Sequence, residues 1–487
     1  MRHLFKHLAT RGLAAILAAA LLSAGCAVNP ATGSRQLMLI TEDQEIAMGR
    51  EAHEQILASM GVYPDDTVQR YVSDLGKDLA ALSERPELPW TFTVIDDPVV
   101  NAFALPGGFI YITRGIMTHL NSEAELVGVL GHEIGHVTAR HGASRMSKAQ
   151  LAGLGLGVGM IISPEFRQFG DVVEQGLGLL FLKYSRDDER QADDLGLRYS
   201  VNGGWDARQM PEVFAVLKRV SEIAGAGRLP NWLATHPDPV ERQERIREAL
   251  AASPLDLSGA KINRPSYMAS LDGMVFGDNP REGFFDEEVF MHPDLEFRID
   301  FPKGWQVQNQ RQQVGAMSPK EDAVVVLSLS PEEDPATAAG AFLSQEGIRG
   351  AAIHKGRVHG LPAAMADFEV PRDQQSDLRG QVAFIRHGTN TYRLLGYSLT
   401  ETWRTYGEPV NDFITSFQRL TDRRALSVQP ARVKVVTPRS DLSLDRFQRQ
   451  YPSTVSLETV ALINHIDANG IVSGGSQAKQ VVGGPGR

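Results

Sequence analysis

The chain has 487 residues, of which 42% are hydrophobic, 22% charged and 7% aromatic. These values exclude a disordered, collagenous or small disulfide-stapled protein and leave room for about three domains. Asp and Glu number 59 against 49 Lys and Arg, for a formal net charge of −10, so the body lacks the basic footprint of a nucleic-acid binder. The single cysteine, Cys26, excludes an intramolecular disulfide and any cysteine-built zinc cage.

Arg2, Lys6 and Arg11 precede an apolar run over residues 13–22, and Ser23, Ala24 and Gly25 lead into Cys26. The run is far shorter than the roughly 20 residues of a spanning helix and reads as a signal peptide over residues 1–25. The junction resembles a bacterial lipobox, with Ser23 where leucine is commonest. That resemblance implies lipidation of Cys26 and a membrane tether made of lipid rather than of a spanning helix. Ala27, where an aspartate would mark retention in Gram-negative lipoproteins, implies the outer membrane as destination. The other reading is an ordinary secretory signal cut nearby, with Cys26 incidental.

After a tether over residues 26–40, Thr41 and Gln44 read as a capping box opening a helix, and residues 71–82 continue the helical pattern. Residues 90–95 and Phe109–Thr113 are strand-like, the second entered through Pro106-Gly107-Gly108. Phe109–Thr113 is the candidate sheet edge on which an extended substrate would pair as an added strand. Helical spacing dominates residues 122–250. Within it, residues 151–162 are apolar but interrupted by Gly153, Gly155, Gly157 and Gly159, a poor helix and a flexible segment. Past Pro254 the pattern becomes turns and alternating strands around Leu295, Phe297, Ile299 and Phe301. Residues 323–329 form a buried-strand run, 381–385 and 392–397 are further strands, and helices fall near 336–345 and 410–420. This stretch reads as an accessory domain, α/β or α+β, over residues 265–422, and residues 296–305 resemble the first strands of a PsbP-like domain. From Pro430 the order strand (433–436), helix (442–450), helix (456–464), strand (480–482) resembles a LysM peptidoglycan-binding module over residues 430–483, although Ser440-Asp441-Leu442 replaces the usual Gly-Asp-Thr. The final residues, 483–487, read as a disordered tail.

Chemistry concentrates in Gly131-His132-Glu133-Ile134-Gly135-His136. Two histidines four apart on a helix present both imidazoles to one metal, and the glutamate beside the first can act on a water there. Ser122 with Glu125 caps this helix, while Ala124, Val127, Leu130 and Ile134 give it an apolar stripe. A metzincin would carry a glycine and a histidine three and six positions after His136; Ala139 and Gly142 stand there, and His141 is one residue off and expected to face elsewhere. The third ligand is sought in Tyr184-Ser185-Arg186-Asp187-Asp188-Glu189-Arg190-Gln191-Ala192-Asp193. Glu189 would bind the metal, Asp193 would accept the ring N–H of a ligand histidine, and Ala192 and Gly196 would keep that helix slim enough to pack on the first. Read alone, this run is better taken as a solvated charged face; beside HExxH the ligand reading prevails.

The segments Asn101-Ala102-Phe103-Ala104-Leu105-Pro106-Gly107-Gly108, HEIGH and Ser185-Arg186-x-x-Glu189-x-x-Ala192-Asp193-x-x-Gly196 resemble the CAAX-protease-type metallopeptidases, metallopeptidase family 48. Asn29-Pro30-x-Thr32-Gly33-x-Arg35-Gln36 resembles the start of its periplasmic BepA/LoiP group. The resemblance spans about residues 29–250 and lacks tetratricopeptide repeats beyond 265. It implies an α+β chain led by a mostly helical gluzincin domain with a small sheet over residues 41–252. It also implies one Zn2+ per chain on His132, His136 and Glu189, Glu133 as general base, and Asp193 behind the ligands. Thr235-His236-Pro237-Asp238-Pro239-Val240-Glu241-Arg242 resembles a downstream His-Pro segment of the family, which implies that His236 and Arg242 lie near the cleft as oxyanion donors or gate. His236 as a simple turn residue is the plainer reading.

Together these readings describe a lipid-anchored periplasmic zinc endopeptidase acting on unfolded or misassembled envelope proteins. Residues 151–162 and His236-Pro237 are the candidate gate over its cleft. Two other classes fit the same residues: a chaperone or scaffold lipoprotein with a closed zinc site, and a peptidoglycan-associated factor whose last module does the work.

Overall fold

The computed structural model describes residues 26–156, 184–224, 236, 238–253, 255–372, 376–467 and 469–484. Residues 1–25, read above as a signal peptide, residues 157–162 of the segment read as a gate, Pro237 and residues 485–487 lie outside the described residues. The chain divides into two compact units, residues 1–277 with 432–482, and residues 278–431 with 483–487.

In the first unit the hairpin β1 (Cys26–Val28) and β2 (Arg35–Leu37) leads into α1 (Glu42–Met60), which opens on the reciprocal Thr41–Gln44 capping box, and then α2 (Asp66–Ala80). A three-stranded sheet follows, of β3 (Thr91–Ile95), β4 (Ala102–Leu105) and β5 (Phe109–Thr113), in the order β3-β5-β4. β5 runs parallel to β3 and antiparallel to β4. The expected edge strand is therefore the central one: all five of its residues are buried and both its sides are paired. Burial on both faces produces the continuous apolar run Phe109-Ile110-Tyr111-Ile112, which carries no information about which strand lies at the rim. β3 and β4 lie at the rims; β3 meets the isolated bridge Val62–Ile95, and the outer side of β4 pairs with no strand among the described residues.

The short α3 (Arg114–His119) delivers the chain to α4 (Glu123–Thr138), whose sixteen residues are all buried. α5 (His141–Leu156) starts after a sharp break. Its helix continues through Gly153 and Gly155, so the first half of the glycine-rich segment is helical where a poor helix was expected. α6 (Arg186–Asn202), α7 (Met210–Ala224), α8 (Pro239–Ala252) and α9 (Arg264–Leu271) complete the helical shell. Val94, Ile112, Leu126, Leu130, Ile134 and Tyr199, each under 1% exposed, sit in one continuous core with Val433 from the C-terminal segment. That segment has strand Ala431–Val436 paired with Ala478–Gly483, and between them helices Leu444–Gln450 and Leu457–Ile463.

The second unit is built on an eight-stranded sheet with a four-stranded one beside it. Every described pairing in it is antiparallel, so of the two expectations, α/β and α+β, the unit takes the α+β one. The reason is local. His354–Val358 and Leu361–Val370 are joined by His359 and Gly360 at φ 44° and 81°, a two-residue hairpin turn that needs positive φ at both positions. A hairpin fixes an antiparallel pair, whereas a parallel one needs a crossover of a dozen residues. Strand Ala323–Ser330 alternates buried with half-buried residues, showing one face to the core where burial on both was expected. Helices Pro335–Leu343 and Trp403–Ser416 pack onto sheet residues through Phe342 and Phe413. The second starts seven residues before the expected 410, running on through Pro409.

Candidate metal centre

Helix α4 is fixed at its start by Ser122, whose hydroxyl accepts from the Glu125 amide at 3.2 Å, and by Glu125, whose carboxylate accepts from the Asn121 amide at 2.7 Å. One turn apart on it, His132 and His136 point the same way, with their Nε2 atoms 3.0 Å apart. α6 runs beside α4 at glycine distance: a Cβ built on Gly196 would lie 2.9 Å from the His132 backbone nitrogen, and one on Gly131 would lie 3.1 Å from the Gly196 Cα. This approach carries two carboxylates of α6 to the histidines. Glu189 Oε2 lies 3.6 Å from His132 Nε2, and its Oε1 3.5 Å from His136 Nε2. Asp193 Oδ1 lies 3.0 Å from His132 Nδ1, on the far side of that ring.

His236, 1% exposed, enters the same cluster. Its Nδ1 is 3.3 Å from His132 Nε2 and 3.0 Å from Glu189 Oε1, and the ligating atoms of His132, His136, Glu189 and His236 all fall within 4.8 Å of one another. Glu133 is fully buried, with Oε1 3.8 Å from His236 Nε2. Arg242, also buried, donates from Nη2 and Nε to Asp193 at 2.6 and 2.9 Å and pairs through Nη1 with Glu189 Oε2 at 2.6 Å. Its guanidinium thus offsets part of the charge of Glu189 in the cluster and of Asp193 behind it.

Two contacts were not expected. The Tyr184 ring stacks on His136, centroids 3.9 Å apart. His141, expected to face elsewhere, lies outside the four-residue donor cluster but turns its Nδ1 to within 2.9 Å of His136 Nδ1. The sequence hid this because His141 begins a new helix. Arg140 between the two helices adopts φ 59°, a left-handed conformation that a glycine would have announced. It is held there by Arg140 Nε on Glu45 at 3.1 Å and Nη2 on the Ile40 carbonyl at 2.8 Å.

The electrostatics suit a cation. Burial, with Arg242 adding to it, pulls His132 down to about 3, so its imidazole is neutral, as a metal ligand must be. Burial opposes ionisation of Asp193, but Arg242 and His132 hold it at about 2. Burial likewise opposes ionisation of Glu189, yet His236 and Arg242 hold it well below the usual carboxylate range. The Nε2 atoms of His132 and His136 face each other at 3.0 Å, so a cation between them would meet a lone pair from each ring when both carry their proton on Nδ1. Donor separations of 3.0–3.6 Å are also close to the ~3.3 Å expected between adjacent corners of a tetrahedron with Zn–N bonds of about 2.0–2.1 Å. The residues present fit zinc.

A helix-borne HExxH pair joined by a glutamate from a second helix, with an acid behind the first histidine, is the site of a gluzincin-class metallopeptidase. Residues 66–250 match the model of Peptidase family M48, and the chain carries an M48 metallopeptidase domain. A mitochondrial metalloendopeptidase OMA1 of Arabidopsis thaliana is 32% identical over 188 residues, 39% of this chain and 37% of that one. A beta-barrel assembly-enhancing protease of Yersinia pestis is 28% identical over 230 residues, 45% of this chain and 46% of that one. The chain thus spans less than half the length of these relatives. Cyanobacterial PsbP from Synechocystis sp. PCC 6803 is similar at 10% identity and a TM-score of 0.23, covering 28% of this chain and 95% of that one, a likeness too slight to bear on the PsbP expectation.

Proposed function

We propose that this protein is a zinc endopeptidase that cleaves unfolded or misassembled proteins of the cell envelope, held at a membrane by lipid on Cys26. The observation that carries the reading is the convergence of His132, His136 and Glu189 from two helices with Glu133 beside them. The beta-barrel assembly-enhancing relative supports envelope proteins as the substrate class. Among the described residues no helix is long and apolar enough to cross a membrane, which is compatible with a lipid tether.

His132, His136 and Glu189 would hold zinc, which when bound supplies Lewis acidity to a carbonyl and a water. Asp193 holds the His132 ring through Nδ1, and Arg242 offsets the charge of Asp193 and Glu189. Glu133 takes a proton from the attacking water and hands it to the departing amine. An extended substrate would pair with the free side of β4, whose Ala104 and Leu105 line one cleft with His136 and Tyr184; a backbone-reading contact of this kind accepts many sequences. The C-terminal βααβ segment would contact peptidoglycan. The test is zinc content and casein cleavage in wild type and Glu133→Gln. The variant keeps its zinc and loses hydrolysis by orders of magnitude, and normal cleavage by it sinks the mechanism.

A gated resting state is favoured by one specific contact: His236 fills the donor cluster at 3.0–3.3 Å, where an open peptidase keeps room for water. A substrate must then bind the open state better than the closed one. On this reading His236→Ala raises cleavage of an unfolded substrate. A fall of about 10²–10³-fold would instead make it an oxyanion donor.

A further inference from the structure

We propose that His141 is the positioning residue for ligand His136, and that Gln191 and Asn29 fix the tautomer through which it acts, making the segment just after Cys26 part of the metal centre's support. The proposal rests on the metal-centre reading above.

The contacts run inward from the backbone. Asn29 Oδ1 accepts from the amides of Ala31 and Thr32 at 2.9 and 3.3 Å, which leaves its Nδ2 pointing outward as a donor. That Nδ2 donates to Gln191 Oε1 at 3.2 Å and to Gln36 Oε1 at 3.4 Å. Gln36 is itself fixed by its Nε2 donating to the Ala139 carbonyl at 3.2 Å. With Gln191 Oε1 committed as an acceptor, His141 Nε2 at 2.7 Å from it must carry the ring proton, and His141 Nδ1 is bare. His136 Nδ1, 2.9 Å away, must then be the donor. That places the His136 proton on Nδ1 and its lone pair on Nε2, the nitrogen that faces His132 and Glu189. Reversing any one amide sets donor against donor or acceptor against acceptor all along the line, and Asn29, His141 and His136 are at most 3% exposed, where such mismatches cost about 1–3 kcal/mol each.

The two ligand histidines are therefore oriented differently. His132 donates to a carboxylate, Asp193, whereas His136 donates to a neutral imidazole. A carboxylate directly on His136 would add to the buried charges of Glu133, Glu189 and Asp193, whereas the imidazole of His141 orients the ring and leaves the nearest further acid, Asp188, 3.8 Å beyond its Nε2. Metal ligands commonly owe their ring orientation to such outer partners, and losing one typically costs 10–100-fold in metal affinity.

The experiment measures zinc dissociation constants by chelator competition, with cobalt(II) absorption spectra as a second readout, on the purified chain beginning at residue 26. The variants are His141→Phe, His141→Gln, Asn29→Asp and Glu189→Ala. His141→Phe keeps bulk but no acceptor and should weaken zinc about 10–100-fold. His141→Gln restores an acceptor oxygen and should recover most of that loss. Asn29→Asp, which touches no ligand, puts an acceptor against Gln191 and should weaken zinc in the same direction. A general packing role for His141 predicts no recovery by Gln and no effect of Asn29→Asp on the cobalt spectrum. If His141→Phe does not fold, Asn29→Asp decides alone, and unchanged zinc affinity there overturns the relay. Wild type without zinc would sink the metal-centre reading itself. Wild type with zinc, lost in Glu189→Ala but kept in His141→Phe and Asn29→Asp, would sink only this proposal.

Discussion

Asp188 and Glu189 are adjacent acids with different surroundings, and the difference is rotational. Successive residues on a helix project about 100° apart, so Glu189 turns to His132, His136 and His236 while Asp188 turns back to cap α6, with Oδ1 3.8 Å from His141 Nε2. There Asp188 accepts from the Ser185 amide at 3.0 Å and from Arg145 Nε at 3.3 Å. Glu189→Ala should lose most bound zinc and Asp188→Ala should keep it. Asp193→Ala should fall between, weakening affinity about 10–100-fold because it holds the His132 ring rather than the metal. Equal zinc content in the three, by elemental analysis after chelator dialysis, would refute the assignment. At this scale the spacing in HEIGH and in Ser185–Asp193 already carried the geometry, since both sets of contacts follow from a four-residue helical repeat. What spacing could not carry was His141, whose direction depends on one left-handed residue, Arg140, held by contacts from Glu45 and Ile40 nearly a hundred positions earlier.

Between elements, the centre depends on how closely α4 and α6 approach. Gly131 and Gly196 meet backbone to backbone, with Ala192 against Gly135 one turn on: a Cβ on Gly135 would sit 3.0 Å from the Ala192 carbonyl oxygen. Gly196→Ala would gain about 1 kcal/mol of helix propensity and is resisted by an atom 2.9 Å from the His132 nitrogen. Backbone cannot swing away as a side chain can, so overpacking at about 1–3 kcal/mol outweighs the gain. The prediction is a lower unfolding midpoint together with weaker zinc binding, because spreading the helices carries Glu189 and Asp193 off the histidines. A stabilised variant with wild-type zinc affinity would show that the helices have slack. Small residues in a charged helix were visible in the sequence, and the close approach was readable from them. The strand order was not: an all-apolar strand looks the same at the centre of a sheet as at a covered rim, and only pairing on both sides of β5 separates the two.

Within the first compact unit, charged and titratable groups from the C-terminal segment are buried against the start of α4. Lys479, fully buried, donates to the carbonyls of Thr118 and Leu120 at 2.8 and 2.7 Å, just before α4. His465 lies 2.8 Å from the His119 carbonyl. Burial drives His119 down to about 4 and His465 to about 3. In the centre itself it lowers His132 to about 3 and His141 to about 4. The unfolded chain takes up protons at these four rings from about pH 6.5 downward, while the folded chain stays neutral until about pH 4. The unfolded state therefore binds more protons across that window, and stability must fall as pH drops through it. Glu125, which burial pushes up to about 7, works in the opposite sense because the folded state there holds the extra proton. One carboxyl against four rings leaves the direction unchanged. Metal-free protein should accordingly show a urea midpoint that declines steadily from pH 6.5 to 4.5, read from the near-ultraviolet signal of its tryptophans. His465→Phe, which cannot take up a proton in either state, should make that decline shallower without reaching the metal ligands. A midpoint flat across the window would mean that these rings are charged or solvated in the folded protein, and that the C-terminal segment does not close over His119 as the fold has it.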